Sequence, residues 1–575
     1  MRRCWHRTVR VSILVIFVLG AVVLRAPPRL EAASFVVDNL SDDPSLTACT
    51  AAANDCSLRG ALSVANANGV ADTITFASGL SGTITLGLAL PALSAAQPTA
   101  IHGPGGGSAA PSVVIDCGGG AFAGFTVTSA GNAIRDLSII NCDDGVFITG
   151  EGADNNRVAG NWIGLNPSGV VVPNSYGGVH IDNGADSNII GGTTAADRNV
   201  ISGNDGGGVG VWGGSTGNLV QGNYIGTDKN GTADLGNSGD GVFINGTGNT
   251  IGGTTTAARN VISGNNNHGV EFNGSTSTSN VAQGNYIGTD VTGTADLGNS
   301  LSGVFITAWA SSNTIGGTTT AARNVISGND RCGVEIPHVG STGNLVQGNY
   351  IGTDVTGTAD LGNTQTGVWI SGPGNAIGGI SEGADNVIAY NGSDGVRVYG
   401  GTATGNSIRA NSIQSNGAKG IENINGGNTE LPPPVIDNVG SASGHTQPKC
   451  YPCTVDVFSD SQDEGRIYHG STTTNNDATG TWTYSGPVAA PNVTATITDA
   501  SGNTSEFSPP TPYSPPVGGI AELPDFAGMS AEEGGAPTEG SGWSAGSYAA
   551  LAGGLAAAVL ALTAGAWYAR RRWLR

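Results

Sequence analysis

Residues 221–227 read Gln-Gly-Asn-Tyr-Ile-Gly-Thr, and the same seven residues return at 283–289 and 347–353. A second segment, Asn-Val-Ile-Ser-Gly-Asn at 199–204, returns twice with nearly the same spacing of 61–64 residues. A fixed period of this length is typical of solenoid proteins, in which one supersecondary unit stacks on the next. The repeat therefore predicts a solenoid fold.

The long repeat divides into shorter units, each marked by the pattern Gly-Val-x-(apolar). Successive marks are separated by intervals that alternate between 28–30 and 33–34 residues. Each interval holds three short strand-like pieces, Gly-Val-x-Ile, Asn-x-(Ile or Val) and Asn-x-Ile, and glycine or asparagine closes each piece because both tolerate left-handed backbone angles. The pattern begins at Gly145, Gly178, Gly208, Gly241, Gly269, Gly303, Gly333, Gly367 and Gly395.

Three strands per unit predict one triangular coil of a right-handed parallel β-helix, an all-β fold with about a dozen coils. At about 4.8 Å per coil the rod is roughly 60 Å long. Leucine-rich repeats and helical solenoids have other periods, and a propeller blade needs about 45 residues. Alternation places the Val and Ile of each mark inside, and it places the Asn of Asn-x-Ile on the same side, where its amide can ladder with the coils above and below.

The composition suits short strands joined by turns, with 95 glycines and only 12% charged residues. The formal net charge of −21 repels phosphate backbones, so a nucleic acid partner is not expected, whereas cations and glycans stay open. The eight cysteines fit an oxidising compartment. Predicted pairs are Cys49–Cys56, Cys117–Cys142 and Cys450–Cys453, with Cys332 left as a small buried thiol.

The two ends predict export and membrane attachment. Residues 1–33 have the charged, apolar and small-residue order of a secretory signal, with cleavage near Ala33; an uncleaved anchor is the alternative. Residues 547–575 hold an uncharged run, Tyr548–Ala569, followed by four arginines, which predicts a single transmembrane helix in the lipid bilayer with the body outside the cell. Residues 511–546, rich in Pro, Gly, Ser and Glu, are predicted to be a disordered stalk.

Three segments resemble known families. The run Cys56-Ser-Leu-Arg-Gly-Ala-Leu62, followed by Asp72-Thr-Ile-Thr-Phe76, resembles the CSLREA domain of bacterial surface β-helix proteins, although Gly60 stands where the family usually has Glu. This assigns 34–100 as an N-terminal cap with the first coils. The β-helix is assigned to 101–428, within which residues 130–425 resemble the pectate-lyase-like superfamily of β-helix lyases, hydrolases, epimerases and adhesins. Residues 432–510, which end in Asp499-Ala-Ser-Gly-Asn-Thr-Ser-Glu-Phe507, resemble an Ig-like β-sandwich.

Candidate site residues follow from the outward position x of Gly-Val-x-Ile. Sugars stack on exposed aromatic rings, so His180, Phe243, Phe305 and Trp369 are candidate glycan-binding residues. Glu271 and Glu335 lie two coils apart, roughly 10 Å, which makes them candidate catalytic carboxylates of an inverting hydrolase. The alternative is a packed column with solvated acids. The full column is Phe147, His180, Gly210, Phe243, Glu271, Phe305, Glu335, Trp369 and Arg397.

Other polar groups yield weaker hypotheses. A repeated loop offers oxygen ligands for Ca²⁺ but equally forms ordinary Asx turns, and no bidentate Glu completes it; its acids are Asp228, Asp234, Asp290, Asp296, Asp354 and Asp360. Asp143-Asp144 resembles the aspartate pair of polygalacturonases but lacks their other motifs and is interpreted as a turn. His180, His268 and His338 fall at different places in their coils and predict no metal site. A second outward column, Trp162, Tyr224, Tyr286 and Tyr350, is expected to pack under the loop.

These observations favour a non-catalytic cell-surface protein that acts in adhesion or glycan binding, with a glycan or a neighbouring cell surface as partner. Near-exact repetition supports this interpretation, because β-helix enzymes usually break their regularity at one face. Two alternatives stay open: a surface polysaccharide hydrolase or lyase, and a structural spacer of the envelope. No cofactor is expected, apart from possible Ca²⁺ at the loops.

Overall fold

The computed structural model describes residues 32–105, 109–462 and 464–513. Within these ranges no helix is both long and apolar enough to cross a bilayer. The predicted membrane anchor (547–575) lies outside the described residues, as do nearly all of the predicted signal (1–33) and stalk (511–546).

Three long parallel sheets form the body of the described chain, and each strand pairs with the equivalent strands of the preceding and following coils. This arrangement confirms a parallel β-helix. Sheet 1 has thirteen strands: Ala33–Val37, Asp72–Phe76, Thr99–His102, Ala133–Arg135, Arg157–Ala159, Ile189–Gly191, Leu219–Gln221, Thr250–Gly252, Val281–Gln283, Thr314–Gly316, Leu345–Gln347, Ala376–Gly378 and Ser407–Arg409.

Sheet 2 has twelve strands: Gly82–Thr85, Val113–Asp116, Ser138–Ile140, Trp162–Ile163, Val200–Ile201, Tyr224–Ile225, Val261–Ile262, Tyr286–Ile287, Val325–Ile326, Tyr350–Ile351, Val387–Ala389 and Ser412–Gln414. Sheet 3 contains the Gly-Val-x-Ile pieces in eleven strands: Phe125–Val127, Asp144–Thr149, Gly177–Asp182, Gly207–Val211, Val242–Ile244, Val270–Asn273, Val304–Thr307, Val334–Ile336, Val368–Ile370, Val396–Tyr399 and Ile421–Ile424. These numbers agree with the predicted dozen coils.

The core is a continuous stack of aliphatic side chains. Val242 and Ile244 of one Gly-Val-x-Ile piece are fully buried, as alternation predicts. On sheet 2, Ile225, Ile262 and Ile287 lie in register on successive coils and are also fully buried. Each coil therefore buries its apolar surface mainly against its two neighbours.

Three ladders of buried asparagines follow the rod, one beside each corner of the triangle. In every ladder the side-chain Nδ2 donates to the Oδ1 of the asparagine one coil further along, as Asn285 does to Asn324 at 3.2 Å. The same Oδ1 also accepts the backbone N–H of the preceding asparagine, as in Asn285 N–H to Asn324 at 2.9 Å. The predicted amide ladder is thereby confirmed, and it satisfies backbone groups that the corners would otherwise leave unpaired.

The N-terminal end is covered by the only α-helix among the described residues, Leu58–Asn68. Ser57 caps it by accepting a hydrogen bond from the Gly60 N–H at 2.9 Å. A Cβ on Gly60 would lie 2.0 Å from the Leu46 carbonyl oxygen, so this position requires glycine and has no room for a glutamate. Leu58 and Leu62 enter the core of the first coils, which agrees with a capping role for this segment.

The C-terminal end is covered by two small antiparallel sheets that share their own core around Val455 and Trp482. One sheet contains Val435–Asn438, Ser443–His445 and Trp482–Thr483; the other contains Thr454–Asp460, Ile467–Thr473, Asn492–Thr498 and Thr511–Pro512. Glu464 ends one asparagine ladder, because its carboxylate accepts from Asn416 Nδ2 (3.2 Å) and from the Ser415 N–H (2.5 Å). The module therefore caps the last coil.

Three disulfides join the predicted pairs, Cys49–Cys56, Cys117–Cys142 and Cys450–Cys453, and Cys332 is a buried free thiol. The remaining helical elements of the described ranges are short 3-10 turns at Ala195–Asp197, Thr256–Ala258 and Gly427–Glu430.

Candidate functional site

The outward column of sheet 3 has the predicted register. Phe243, Glu271 and Phe305 pair on successive strands, and Glu335 and Trp369 continue the same row. The predicted exposure holds for only part of the row. The carboxylates in it are buried, which changes what this face can do.

Glu335 is fully buried and cannot reach a ligand in solvent. Its Oε2 accepts the Ser302 hydroxyl at 2.5 Å, and Arg331 Nη2 lies 2.8 Å from Oε1. Burial raises the pKa of Glu335, while Ser302 and Arg331 act in the opposite direction. Phe305 lies between Glu335 and Glu271 in the row. The two glutamates are therefore not a facing acid and base, and the hydrolase hypothesis built on this pair loses its geometric basis.

A cavity of about 200 Å³ opens on sheet 3, toward the N-terminal half of the column. We call it the sheet 3 cavity. It contains two of the predicted glycan-binding residues, His180 and Phe243. Other residues that the sequence pattern did not predict lie beside them. The lining residues are Asp144, Tyr176, Gly177, Val179, His180, Gly207, Val209, Gly210, Trp212, Gly239, Asp240 and Phe243.

Two aromatic pairs line this cavity. The Trp212 and Phe243 rings stack with centroids 4.0 Å apart and planes 22° from parallel. The rings of Tyr176 and His180 stack at 5.3 Å and 21°. Gly210 makes the first pair possible, because a Cβ at this position would lie 2.5 Å from Trp212 Nε1. The Trp212 ring thus occupies the space that a side chain at Gly210 would fill.

Asp144 lies at the start of a sheet 3 strand rather than in the turn predicted for it. Its side chain is buried, and Oδ2 lies 3.3 Å from His180 Nδ1. Its other oxygen, Oδ1, is buried and has no hydrogen-bond partner among the described residues. Burial raises the pKa of Asp144, the contact with His180 lowers it, and the Asp143 charge raises it, with a net upward shift.

Asp240, at the other end of the cavity lining, belongs to a cluster with His268 and Glu271, whose ligand-type atoms all lie within 4.8 Å of one another. Burial, followed by the neighbouring Glu271 carboxylate, raises the pKa of Asp240 to about 8. Two carboxylates this close are stable when they share a proton. The pair formed by Asp240 and Glu271 therefore holds a shared proton at neutral pH.

His268 thus joins a group of metal-ligand types that the sequence did not predict. However, the Ser302 N–H donates to His268 Nδ1 at 3.2 Å, which places the proton of the neutral ring on Nε2. Burial, and then the Arg331 charge, lowers the pKa of His268 to about 4, so the ring is neutral. Neither ring nitrogen offers a free lone pair, and the cluster fits a shared proton better than a metal ion.

The other predicted ligand-binding residues lie outside the sheet 3 cavity. The Phe305 ring stacks on His268 with centroids 4.0 Å apart, and the Arg331 guanidinium lies 5.7 Å from the Trp369 ring centre. Arg397 pairs with Glu422 at 3.0 Å and with Asp394. These contacts cover the C-terminal half of the column, so the packing alternative describes it better than glycan stacking does.

The repeated acidic loop forms turns. Asp290 Oδ1 accepts the backbone N–H groups of Thr294 (3.0 Å) and Ala295 (3.1 Å), and Asp228 and Asp354 make the equivalent contacts. The second acids accept from the N–H two residues on: Asp234 from Gly236, Asp296 from Gly298 and Asp360 from Gly362. The Asx-turn interpretation explains all six aspartates, and calcium binding stays an untested prediction.

The aromatic residues beside these loops pack as predicted. Tyr224 and Tyr286 are buried, and the guanidinium groups of Arg198 and Arg259 lie over their rings at 4.2 and 4.0 Å. The second column is therefore structural.

Several candidate site residues lie at a second periodic position of the repeat, which differs from the outward position x. Asp144, Asp240 and His268 all occupy the residue directly before a Gly-Val mark, so a second column exists one position earlier in the repeat. Trp212 continues the alternation of its strand, since Val209 and Val211 point inward and the positions between and after them point outward. Only the position of Tyr176, in the connection before its strand, has no periodic signal.

Comparisons with known proteins leave the family open. No protein-family model and no curated protein sequence matches the chain. Among solved structures, a mutant of the periplasmic alginate epimerase AlgG is 13% identical over 57% of this chain and 76% of that one, with a TM-score of 0.27. ORF18 of Geobacillus virus E2 is 11% identical over 77% and 71% of the two chains, with a TM-score of 0.30. Likeness at this level does not assign a site.

Proposed function

We propose that this chain is an exported surface rod that binds a glycan in the sheet 3 cavity without cleaving it. One observation carries the proposal: two stacked aromatic pairs line a single open cavity, and Asp144, which keeps one carboxylate oxygen unpaired, lines the same cavity. Ring faces supply the apolar surface on which a pyranose stacks, and the carboxylate supplies a hydrogen-bond acceptor.

The extent of the groove supports a polymeric ligand. A second cavity of about 380 Å³ adjoins the first and shares Asp144, Tyr176 and His180 with it, and Phe122 and Phe147 lie on its far side. The two cavities follow the axis along which the coils stack. A chain of sugars lying along the rod would contact both, whereas a single small molecule would fill one.

Surface exposure supports the same proposal. Three disulfides suit an oxidising compartment outside the cytoplasm. We infer from the sequence that 1–33 directs export, that 547–575 holds the protein in the membrane, that 34–100 is a CSLREA-like cap and that 432–510 is an Ig-like module. A rod held at one end leaves its lateral face, and with it sheet 3, open to glycans of the same or a neighbouring cell.

The proposal is tested on a glycan array with the purified full-length protein, followed by titration of the best ligand. Trp212→Ala should weaken binding at least about tenfold, since it removes one ring of the stacked pair. Trp309→Ala is the matched control, because Trp309 is 60% exposed and lies outside the cavity. An array without any bound glycan, or equal affinities of Trp212→Ala and wild type, would refute glycan binding here.

A glycan-cleaving enzyme is the second candidate, and Asp240 favours it. A carboxylic acid that stays protonated at neutral pH is what a general acid requires, and this one lines the same cavity as Asp144. New reducing ends or unsaturated ends in the bound glycan, produced by the wild type and lost in Asp240→Asn, would establish the enzyme. Intact glycan after prolonged incubation supports binding alone.

A further inference from the structure

The sheet 3 cavity contains acidic groups, and His180 is the only basic side chain among its lining residues. Asp144 and Asp240 both line it, and neither lysine nor arginine occurs among the lining residues. The chain as a whole has a net charge of −21. The surroundings therefore disfavour an anionic ligand such as a uronic acid and favour a cation.

Asp144 is the residue that points to the missing partner. It is 6% exposed, its Oδ2 already contacts His180, and its buried Oδ1 has no partner in the described chain. An acceptor left unpaired in a buried position costs free energy, which a donor from a bound ligand would recover. A cationic donor recovers the most, because its hydrogen bond is charge-assisted.

The aromatic rings select for the same charge. Trp212, Phe243 and Tyr176 line the same cavity as Asp144. The faces of such rings are negatively polarised and attract ammonium groups, most strongly when the cation is desolvated. A primary ammonium group satisfies the rings and the carboxylate together.

The size of the cavity limits the rest of the ligand. Its volume of about 200 Å³ is below the roughly 300–1,000 Å³ of pockets for drug-sized ligands. One hexose unit is of a size that suits this volume, and the adjoining cavity offers a place for the next unit of a chain.

We propose that the sheet 3 cavity recognises the protonated amino group of a 2-amino sugar in a glycan, with Asp144 and Asp240 as acceptors and Trp212, Phe243 and Tyr176 as the aromatic surround. This inference rests on the proposed glycan-binding function and adds the class of sugar. It also implies that binding releases a proton, because an ammonium group beside Asp240 and Glu271 favours the ionised form of both carboxyl groups.

The test is isothermal titration calorimetry of the full-length protein with glucosamine oligomers and with N-acetylglucosamine oligomers of the same length. The two ligands differ only in the charge and the acetyl group on nitrogen. Glucosamine oligomers should bind at least about tenfold more tightly, since a charge-assisted hydrogen bond and a cation–π contact act together. Repetition in two buffers of different ionisation enthalpy should show proton release at pH 7.

Variants locate the effect. Asp144→Asn should abolish the preference for the free amine. Asp205→Asn removes the same charge from an exposed residue outside the cavity and should keep the preference. The wild-type comparison stands without either variant, should one of them fail to fold.

The outcomes separate the two proposals. Equal or tighter binding of the acetylated oligomer overturns the amino-sugar inference and leaves glycan binding in place. Tighter binding of a lysine tripeptide than of the glucosamine oligomer overturns the assignment to a sugar. If neither oligomer binds and the glycan array is also empty, both proposals fall.

Discussion

Replacement of Asn285 by alanine tests how much the asparagine ladders contribute to the stability of the rod. Its Nδ2 donates to Asn324 Oδ1, to the Ile251 carbonyl (2.9 Å) and to the Gln283 carbonyl (3.1 Å). Its Oδ1 accepts the Asn260 backbone N–H at 3.3 Å and Asn260 Nδ2 at 2.9 Å. Asn285→Ala removes all of these contacts from a fully buried site.

The expected loss follows from what remains unpaired. The buried Asn260 N–H loses its acceptor, which costs about 1–3 kcal/mol, and at least two of the donated bonds are lost at about 1 kcal/mol each. Asn285→Ala should therefore lower the free energy of unfolding by about 3–5 kcal/mol.

Urea unfolding of the full-length protein, followed by circular dichroism of the β signal, measures this difference. Asn230→Ala is the control, because Asn230 is exposed and its Nδ2 contacts only Asp228 in the same loop. The control should stay within about 0.5 kcal/mol of wild type. A loss below about 1 kcal/mol for Asn285→Ala would show that water or neighbouring amides replace the ladder contacts, and the reasoning would be wrong.

Three further predictions concern other parts of the molecule. Asp240→Asn should have a higher melting temperature than wild type at pH 8 but not at pH 4. The reason is that a carboxyl pKa raised from 3.8 to about 8 makes the folded wild type lose stability as the pH rises between these two values. Equal dependence of the two melting temperatures on pH would contradict the shared proton. Gly210→Ala should move Trp212 out of its stack and change the near-ultraviolet circular dichroism, while Gly152→Ala, whose Cβ meets nothing within 4 Å, should leave it unchanged. Cys117→Ser opens a link between residues 25 apart and should cost about 3 kcal/mol in urea unfolding, and reduction of the wild type, which opens all three disulfides, should cost at least as much.

The fold was predictable because its causes are periodic. The alternation of Val and Ile in each mark determines which side is inside, and the asparagine before each following strand determines where the ladders run. One residue in each of these patterns is enough to place the equivalent residues of all coils, as the register of Ile225, Ile262 and Ile287 shows. The Cys117–Cys142 disulfide follows from the same spacing, since its two residues lie about one coil apart.

The site was predictable only in part, because it depends on departures from the repeat. His180 and Phe243 were found from the outward column, but Trp212 reaches the cavity only because Gly210 has no side chain. Glu335 fails as an exposed acid because Arg331, from the neighbouring corner, folds back over it. Contacts of this kind depend on side-chain conformations between coils, which no periodicity encodes.

The asparagine ladders also make the rod electrically polar. Because every carboxamide donates toward the following coil, their dipoles point the same way and add, and each bond polarises the next. In the ladder that ends at Asn416, the positive end is the one at which Nδ2 donates, and it terminates on the carboxylate of Glu464. A coil added at that end would have to supply its own acceptor in place of Glu464, so the two ends of the solenoid are not interchangeable.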